Sequence, residues 1–165
     1  MLSDNKTIAL SKVQNTADQV ANYIIFKQQT IDAKKLQKLL YYCCAFYYTL
    51  ESKYFCDNQI DFEAWVHGPV HPGTYLRFAD KSKKMKKIKH NENMDHSCLS
   101  ESEKGFIDEV IAFLGDYHGY QLEAMTHEEQ PWLEKRKGLG ELESGHKKIS
   151  YTTIKNYYTG KVQRV

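Results

Sequence analysis

The sequence predicts a mainly α protein: a compact single helical domain around a central apolar helix, with at most a small β-hairpin. Three observations carry that expectation. From Leu39 to Leu50 almost every residue is apolar or aromatic, and a helix greasy on all sides is one surrounded by other helices. Ser100 and Glu103 form a capping box ahead of an apolar stripe at Phe106, Val110, Phe113 and Leu114, the signature of a second well-defined helix. Extended patterning is limited to a short piece around Phe62 to Val66, too little for a large sheet.

The elements follow in order. Val20, Tyr23 and Ile24 share one stripe of a helix from about Thr16 to Gln28, with Asn15 or Thr16 as its cap. Asp32 caps the central helix, along which Leu36, Leu39, Leu40, Cys43, Phe46, Tyr47 and Leu50 keep helical spacing. Its first turns carry Lys34, Lys35 and Lys38, cations at the end where the helix dipole favours anions. They are either solvated lysines balanced by Asp32 or a helix start that faces an anion or a partner. A turn at Asp57–Asn58 precedes the extended piece, and Pro72 opens a helix bearing Tyr75 and Phe78. The polar stretch from Asp80 to Cys98 reads as an exposed connection or a short edge element, and Gly119 falls near the end of the capping-box helix. A short helix over "YQLEAMTHEE", a turn at Pro131–Trp132, a loop at "KGLGELESG" and a last helix between Ser150 and Gly160 complete the chain.

Length and composition fit one domain over residues 1–165: 165 residues, 41% hydrophobic and 27% charged, close to the average of folded soluble chains and unlike disordered ones. A net charge of +2 says little about partners, while twelve tyrosines point to surfaces where one end of a side chain is apolar and the other wet. Cys43, Cys44, Cys56 and Cys98 show neither a C-x-x-C pair nor zinc-ribbon spacing and read as core thiols. The first residues lack a signal-peptide stretch and no uncharged run approaches membrane-spanning length. The expected location is cytoplasmic and reducing, without membrane association.

The motifs offer little chemistry. His67 and His71 have a spacing also used by zinc fingers, but Pro69 places them in a turn and no cysteine pair accompanies them. His127-Glu128 fails as a metalloprotease helix because Pro131 occupies the position of the second histidine. Neither a G-x-S-x-G elbow, a Walker loop nor a G-x-G-x-x-G turn is present. Cys43 and Cys44 lie in the greasiest helix, where thiols are inert. No catalytic residue, metal or cofactor is expected, and the chain does not read as an enzyme. The six lysines from Lys81 to Lys89 could grip phosphates, but Met85 and Ile88 between them make no stacking platform, so a solvated charged loop is favoured over a nucleic-acid-binding regulator. Tyr41-Tyr42 and Tyr47-Tyr48 cannot all face one core, since neighbours on a helix point about 100° apart. Some must meet other elements, solvent or a partner.

Three stretches, "KKLQKLLYYCCAFYY", "FEAWVHGPVHPGTYLRF" and "LEAMTHEEQPWLEKRKG", resemble in order and separation the Panacea domain family, also described as SocA-like or phage-associated GepA-like proteins. The resemblance spans about residues 16–158. It implies an antitoxin of a toxin-antitoxin system, a small helical protein that neutralises a cognate protein toxin, usually encoded beside it, by direct binding. A SocA-like relative instead acts as a proteolytic adaptor that delivers its toxin to a bacterial AAA+ protease; a homo-oligomer is also compatible. The motif maps onto Lys35, Leu36, Gln37, Lys38, Leu39 and Tyr41, onto Trp65, Gly68, Pro69 and Val70, and onto Thr126, His127, Pro131 and Trp132; of these Leu36, Gln37, Leu39, Tyr41, Trp65, Gly68, Pro69, Val70, Thr126, Pro131 and Trp132 are expected to hold the fold. Lys35, Lys38, Tyr42, His67 and His127 are the expected surface residues for partner binding, with aromatic anchors from the central helix and lysines meeting an acidic patch.

Overall fold

A computed structural model describes residues 15–79 and 87–164. Helix α1 (Thr16–Gln28) starts where the Asn15 side chain accepts the Asp18 N–H at 2.9 Å, and it stops at Gln29, whose φ of 63° turns the chain out of the helix. Three residues later Asp32 Oδ1 accepts the Lys35 N–H at 2.8 Å and opens α2 (Ala33–Glu51), which ends at left-handed Ser52. Between them, β1 (Thr30–Ile31) pairs antiparallel with β4 (Ile88–Lys89), so the stretch read as a connection or edge element supplies a short edge. Within the lysine run, residues 81–86 lie outside the described residues.

Helix α2 is the axis of the molecule, buried without interruption from Leu36 to Tyr47. Helices α1, α4 (Glu101–Leu114), α5 (Gly119–His127) and α7 (Tyr151–Tyr158) pack around it, and α6 (Gln130–Arg136) joins α5 to α7. Leu36, Leu39 and Leu40 are wholly inaccessible, each worth about 1.5–3 kcal/mol relative to exposure. The tyrosine pairs resolve inside the protein. Tyr47 stacks on Phe55 with ring centroids 4.3 Å apart, Tyr48 stacks on Tyr54 at 5.0 Å, and the Tyr41 hydroxyl lies 3.3 Å from that of Tyr158. The aromatic residues of the central helix therefore anchor the core, not a partner, which corrects the sequence-based expectation.

After α2 a 3-10 turn (Phe55–Asp57) leads to a hairpin of β2 (Glu63–Trp65) and β3 (Gly68–Val70), and β3 runs directly into α3 (Pro72–Phe78). Residues 147–149 lie along the other edge of β2, where Ala64 N donates to Lys147 O and Ile149 N to Phe62 O. Glu103 performs two tasks. It closes the capping box with Ser100, and its other carboxylate oxygen accepts the Cys56 N–H at 2.7 Å. Beside it Cys56 and Cys98 form a disulfide, whereas Cys43 and Cys44 are free and buried. The reading of all four as core thiols thus holds for the helical pair alone: the fold brings the 3-10 turn and the loop before α4 to a Cα separation of 5.8 Å, within disulfide reach. Gly115 ends α4, and Gly119, placed by sequence near that end, instead opens α5 against the start of α2.

Candidate functional site

The three sequence stretches that carry the family resemblance converge on the β2–β3 hairpin. From α2, Gln37 reaches the chain as it leaves β3: its carbonyl oxygen accepts the His71 N–H at 2.9 Å and its amide donates to Thr74 Oγ1 at 2.9 Å. His71 in turn caps α3, its Nδ1 accepting the Thr74 N–H at 3.1 Å. Burial holds the His71 ring below the usual histidine pKa, in keeping with a neutral acceptor. Next along α2, Lys38 Nζ donates to the Pro69 carbonyl at 2.9 Å. From the other side the Trp132 indole donates to the Trp65 carbonyl at 2.8 Å. Helices α2, α5 and α6 thereby grip the hairpin from both flanks.

This grip explains the composition of the turn. Gly68 has φ +99°, and a Cβ there would lie 2.7 Å from Lys38 Cε and 2.8 Å from Thr126 Oγ1. Only glycine adopts that backbone and admits that approach. Pro69 and Val70 are buried, the former presenting its carbonyl to Lys38. Thr126, also buried, turns its hydroxyl onto Glu123 O. Pro131 sits in the first turn of α6, where its missing N–H costs nothing. Leu36, Leu39 and Tyr41 are core residues.

Among the expected partner-binding residues, the placement of Lys38 and Tyr42 on the open surface is corrected: they are 1% and 0% exposed, Tyr42 within the core and Lys38 at the floor of a cleft. Lys38 is drawn in by the Pro69 carbonyl, and Tyr42 by a hydrogen bond to Glu129, whose carboxyl pKa is raised by burial. Lys35 is half-buried and donates to the Gly115 carbonyl. His67 is exposed (67%) at the tip of the hairpin, and half-buried His127 stacks on Trp132 at 4.1 Å.

A residue absent from the sequence-based expectation, Glu123, ties these groups together. Its carboxylate accepts Lys34 Nζ at 2.5 Å and lies 2.9 Å from His67 Nδ1 and 3.9 Å from His127 Nε2. Burial acts to raise the Glu123 pKa, but the Lys34 and His67 hydrogen bonds together hold it below the ordinary value. The signal for it is local, since Glu123 precedes His127 by one helical turn and shares its face. Burial without a charged hydrogen-bond partner pulls the Lys38 amine from 10.5 down to about 7, against the opposing pull of Glu123.

Between α2, the hairpin, α3 and residues 142–146 opens a cleft of about 570 Å³. Trp65 forms one wall, its ring edge-to-face with Tyr75 at 5.0 Å and with His146 at 5.7 Å. The 140–146 wall is held by buried Arg136, which donates to Ala64 O at 3.3 Å, Gly140 O at 3.2 Å and Glu143 O at 2.6 Å. Leu142 (81% exposed) and Tyr75 (40%) stand at the rim. Lys38 and His67 are the expected partner residues that line this cleft; Lys35, Tyr42 and His127 do not. Among the described residues no cluster of three or more His, Cys, Asp or Glu side chains is placed to hold a metal ion, and no helix is long and apolar enough to cross a membrane.

No curated protein and no solved structure matches the chain significantly. The family model described as "Antitoxin SocA-like, Panacea domain" matches residues 36–133, well over half of the chain and a span that includes Leu36 to Lys38, the hairpin and Thr126 to Trp132. The chain belongs to the SocA-like antitoxin, Panacea domain family.

Proposed function

We propose that this protein is the antitoxin of a toxin-antitoxin pair and neutralises a cognate protein toxin, encoded by the adjacent gene, by binding it in the cytoplasm without catalysis. The observation that carries the reading is the cleft beside the hairpin. Its rim presents Tyr75 and Leu142 to solvent, while its floor is fixed by the hydrogen bonds of Gln37, Lys38, Trp132 and Arg136. Apolar and aromatic groups on a rigid scaffold lose little conformational freedom when a partner covers them. Lys35, Tyr42 and His127 act behind that surface as supports.

Co-expression with the product of the adjacent gene tests the proposal. Growth arrested by the neighbour alone and restored by this protein supports it, with the two proteins recovered as one complex. A neighbour that is harmless alone, or that stays toxic beside soluble antitoxin, overturns it. Loss of the toxin from cells, reversed in a host lacking the relevant AAA+ protease, would identify proteolytic delivery in place of masking.

A further inference from the structure

The cleft is lined by four basic side chains, Lys34, Lys38, His67 and His146, and by no carboxylate among the described residues. Two carboxylates pair with these basic side chains. Glu123 faces Lys34 and His67, with its side chain 13% exposed, and Glu63 faces His146 at 3.2 Å, with its own 22% exposed. Between the basic groups the walls are apolar, formed by Trp65, Val66, Val70 and Leu142.

Lys38 is the unusual member. A lysine ammonium carries three donors, and among the described residues this one makes a single hydrogen bond, to Pro69 O, while its side chain lines the cleft floor. A buried lysine left so lightly partnered is costly unless an anion arrives or the proton leaves. The charged or titratable groups around it are Lys34 on its own helix, His67 on the hairpin, and Glu123 and His127 on α5, and the single carboxylate in that set is already bonded to Lys34 and His67.

We infer that the cleft recognises a carboxylate-bearing apolar segment of the toxin, an Asp or Glu side chain directed at Lys38 and Lys34 and flanked by apolar residues against Trp65 and Leu142. This rests on the reading that the cleft is where the toxin binds. Because the guest carboxylate favours the charged amine, docking near neutral pH takes up a proton, and affinity falls as pH rises from about 7 to about 9.

The probe is the peptide acetyl-Leu-Glu-Leu-Glu-Leu-amide, with acetyl-Leu-Gln-Leu-Gln-Leu-amide as its neutral twin, titrated into the full chain at pH 7. The two tryptophans give two indole N–H signals: Trp65 in the cleft wall and Trp132 behind it. The expected result is saturable movement of the Trp65 signal with at least tenfold tighter binding of the acidic peptide, a preference removed by Lys38→Met and reduced by Lys34→Gln. Lys34→Gln keeps the test decisive if Lys38→Met does not fold. Equal binding of both peptides, binding of neither, movement of signals away from Trp65, or full competition by an equal concentration of sodium acetate overturns the inference. A retained acidic preference in a protein that fails to neutralise its neighbour would sink the antitoxin reading and leave the carboxylate site standing.

Discussion

Replacing Lys38 by methionine should remove most of one component of the pH dependence of stability. In the folded protein the Lys38 amine titrates at about 7, against a reference value of 10.5. Between these pH values the unfolded chain holds a proton that the folded chain has released, so stability rises with pH; below 7 the full cost of burying the charge is present. Integrating that difference from pH 6 to pH 8.5 gives a gain of about 2 kcal/mol for the wild type. The thioether of the Lys38→Met variant cannot titrate, so that protein lacks this gain. The lost bond to Pro69 O shifts the whole Lys38→Met curve downward by about 1–3 kcal/mol at every pH without changing its slope. His71 and His127, whose pKa values burial also lowers, add slopes of the same sign that both proteins share. Urea unfolding of both proteins at pH 6, 7 and 8.5, with matched m-values, measures the difference. Parallel stability curves would show that Lys38 stays charged in the fold, contrary to an amine that titrates at about 7.

Other outcomes follow from the same geometry. Gly68→Ala should lose about 2–5 kcal/mol, from a strained φ and a Cβ inside the contacts of Lys38 and Thr126, while Gly138→Ala, with φ +81° but open space, should lose about 1 kcal/mol; equal losses in thermal unfolding would contradict the close approach. Reducing the Cys56–Cys98 disulfide, which closes a separation of 42 residues, should lower stability by on the order of 4 kcal/mol, read as a fall in the urea midpoint; an unchanged midpoint would show that it does not constrain the unfolded chain. Ser100→Ala should cost about 1 kcal/mol, and Glu103→Ala more, because it also strands the N–H groups of Cys56 and Ser100; the reverse order of melting temperatures would count against the dual role of Glu103.

What the sequence made legible was governed by near neighbours. Asp32, Pro72, Ser100 and Ser150 announce helix starts through hydrogen bonds or a fixed φ spanning three residues at most, and the structure opens helices at each. The burial of Leu39 and the helical grease around it follows from periodicity alone. Lys38 and Tyr42 escape such reasoning because a lysine or tyrosine goes inside only when a partner waits there. Those partners, Pro69 and Glu129, are 31 and 87 residues away. The role of His71 as a cap is hidden by its type, since caps are ordinarily Ser, Thr, Asp or Asn. The Cys56–Cys98 pairing depends on bringing a 3-10 turn to the loop before α4, a tertiary event without a spacing signature. Glu123 is legible in principle, one turn before His127, yet its importance emerges only once the hairpin tip delivers His67 to it.

Site-specific photo-crosslinking tests whether a toxin is held in the cleft beside the hairpin. A photoreactive residue is placed at Leu142 on the cleft rim and, separately, at exposed Phe113 on α4, in cells co-expressing the adjacent gene product. A toxin seated in the cleft gives a covalent adduct from position 142 and none from position 113. An adduct from position 113 with none from 142, in a pair that still neutralises, would place the toxin elsewhere and contradict this placement.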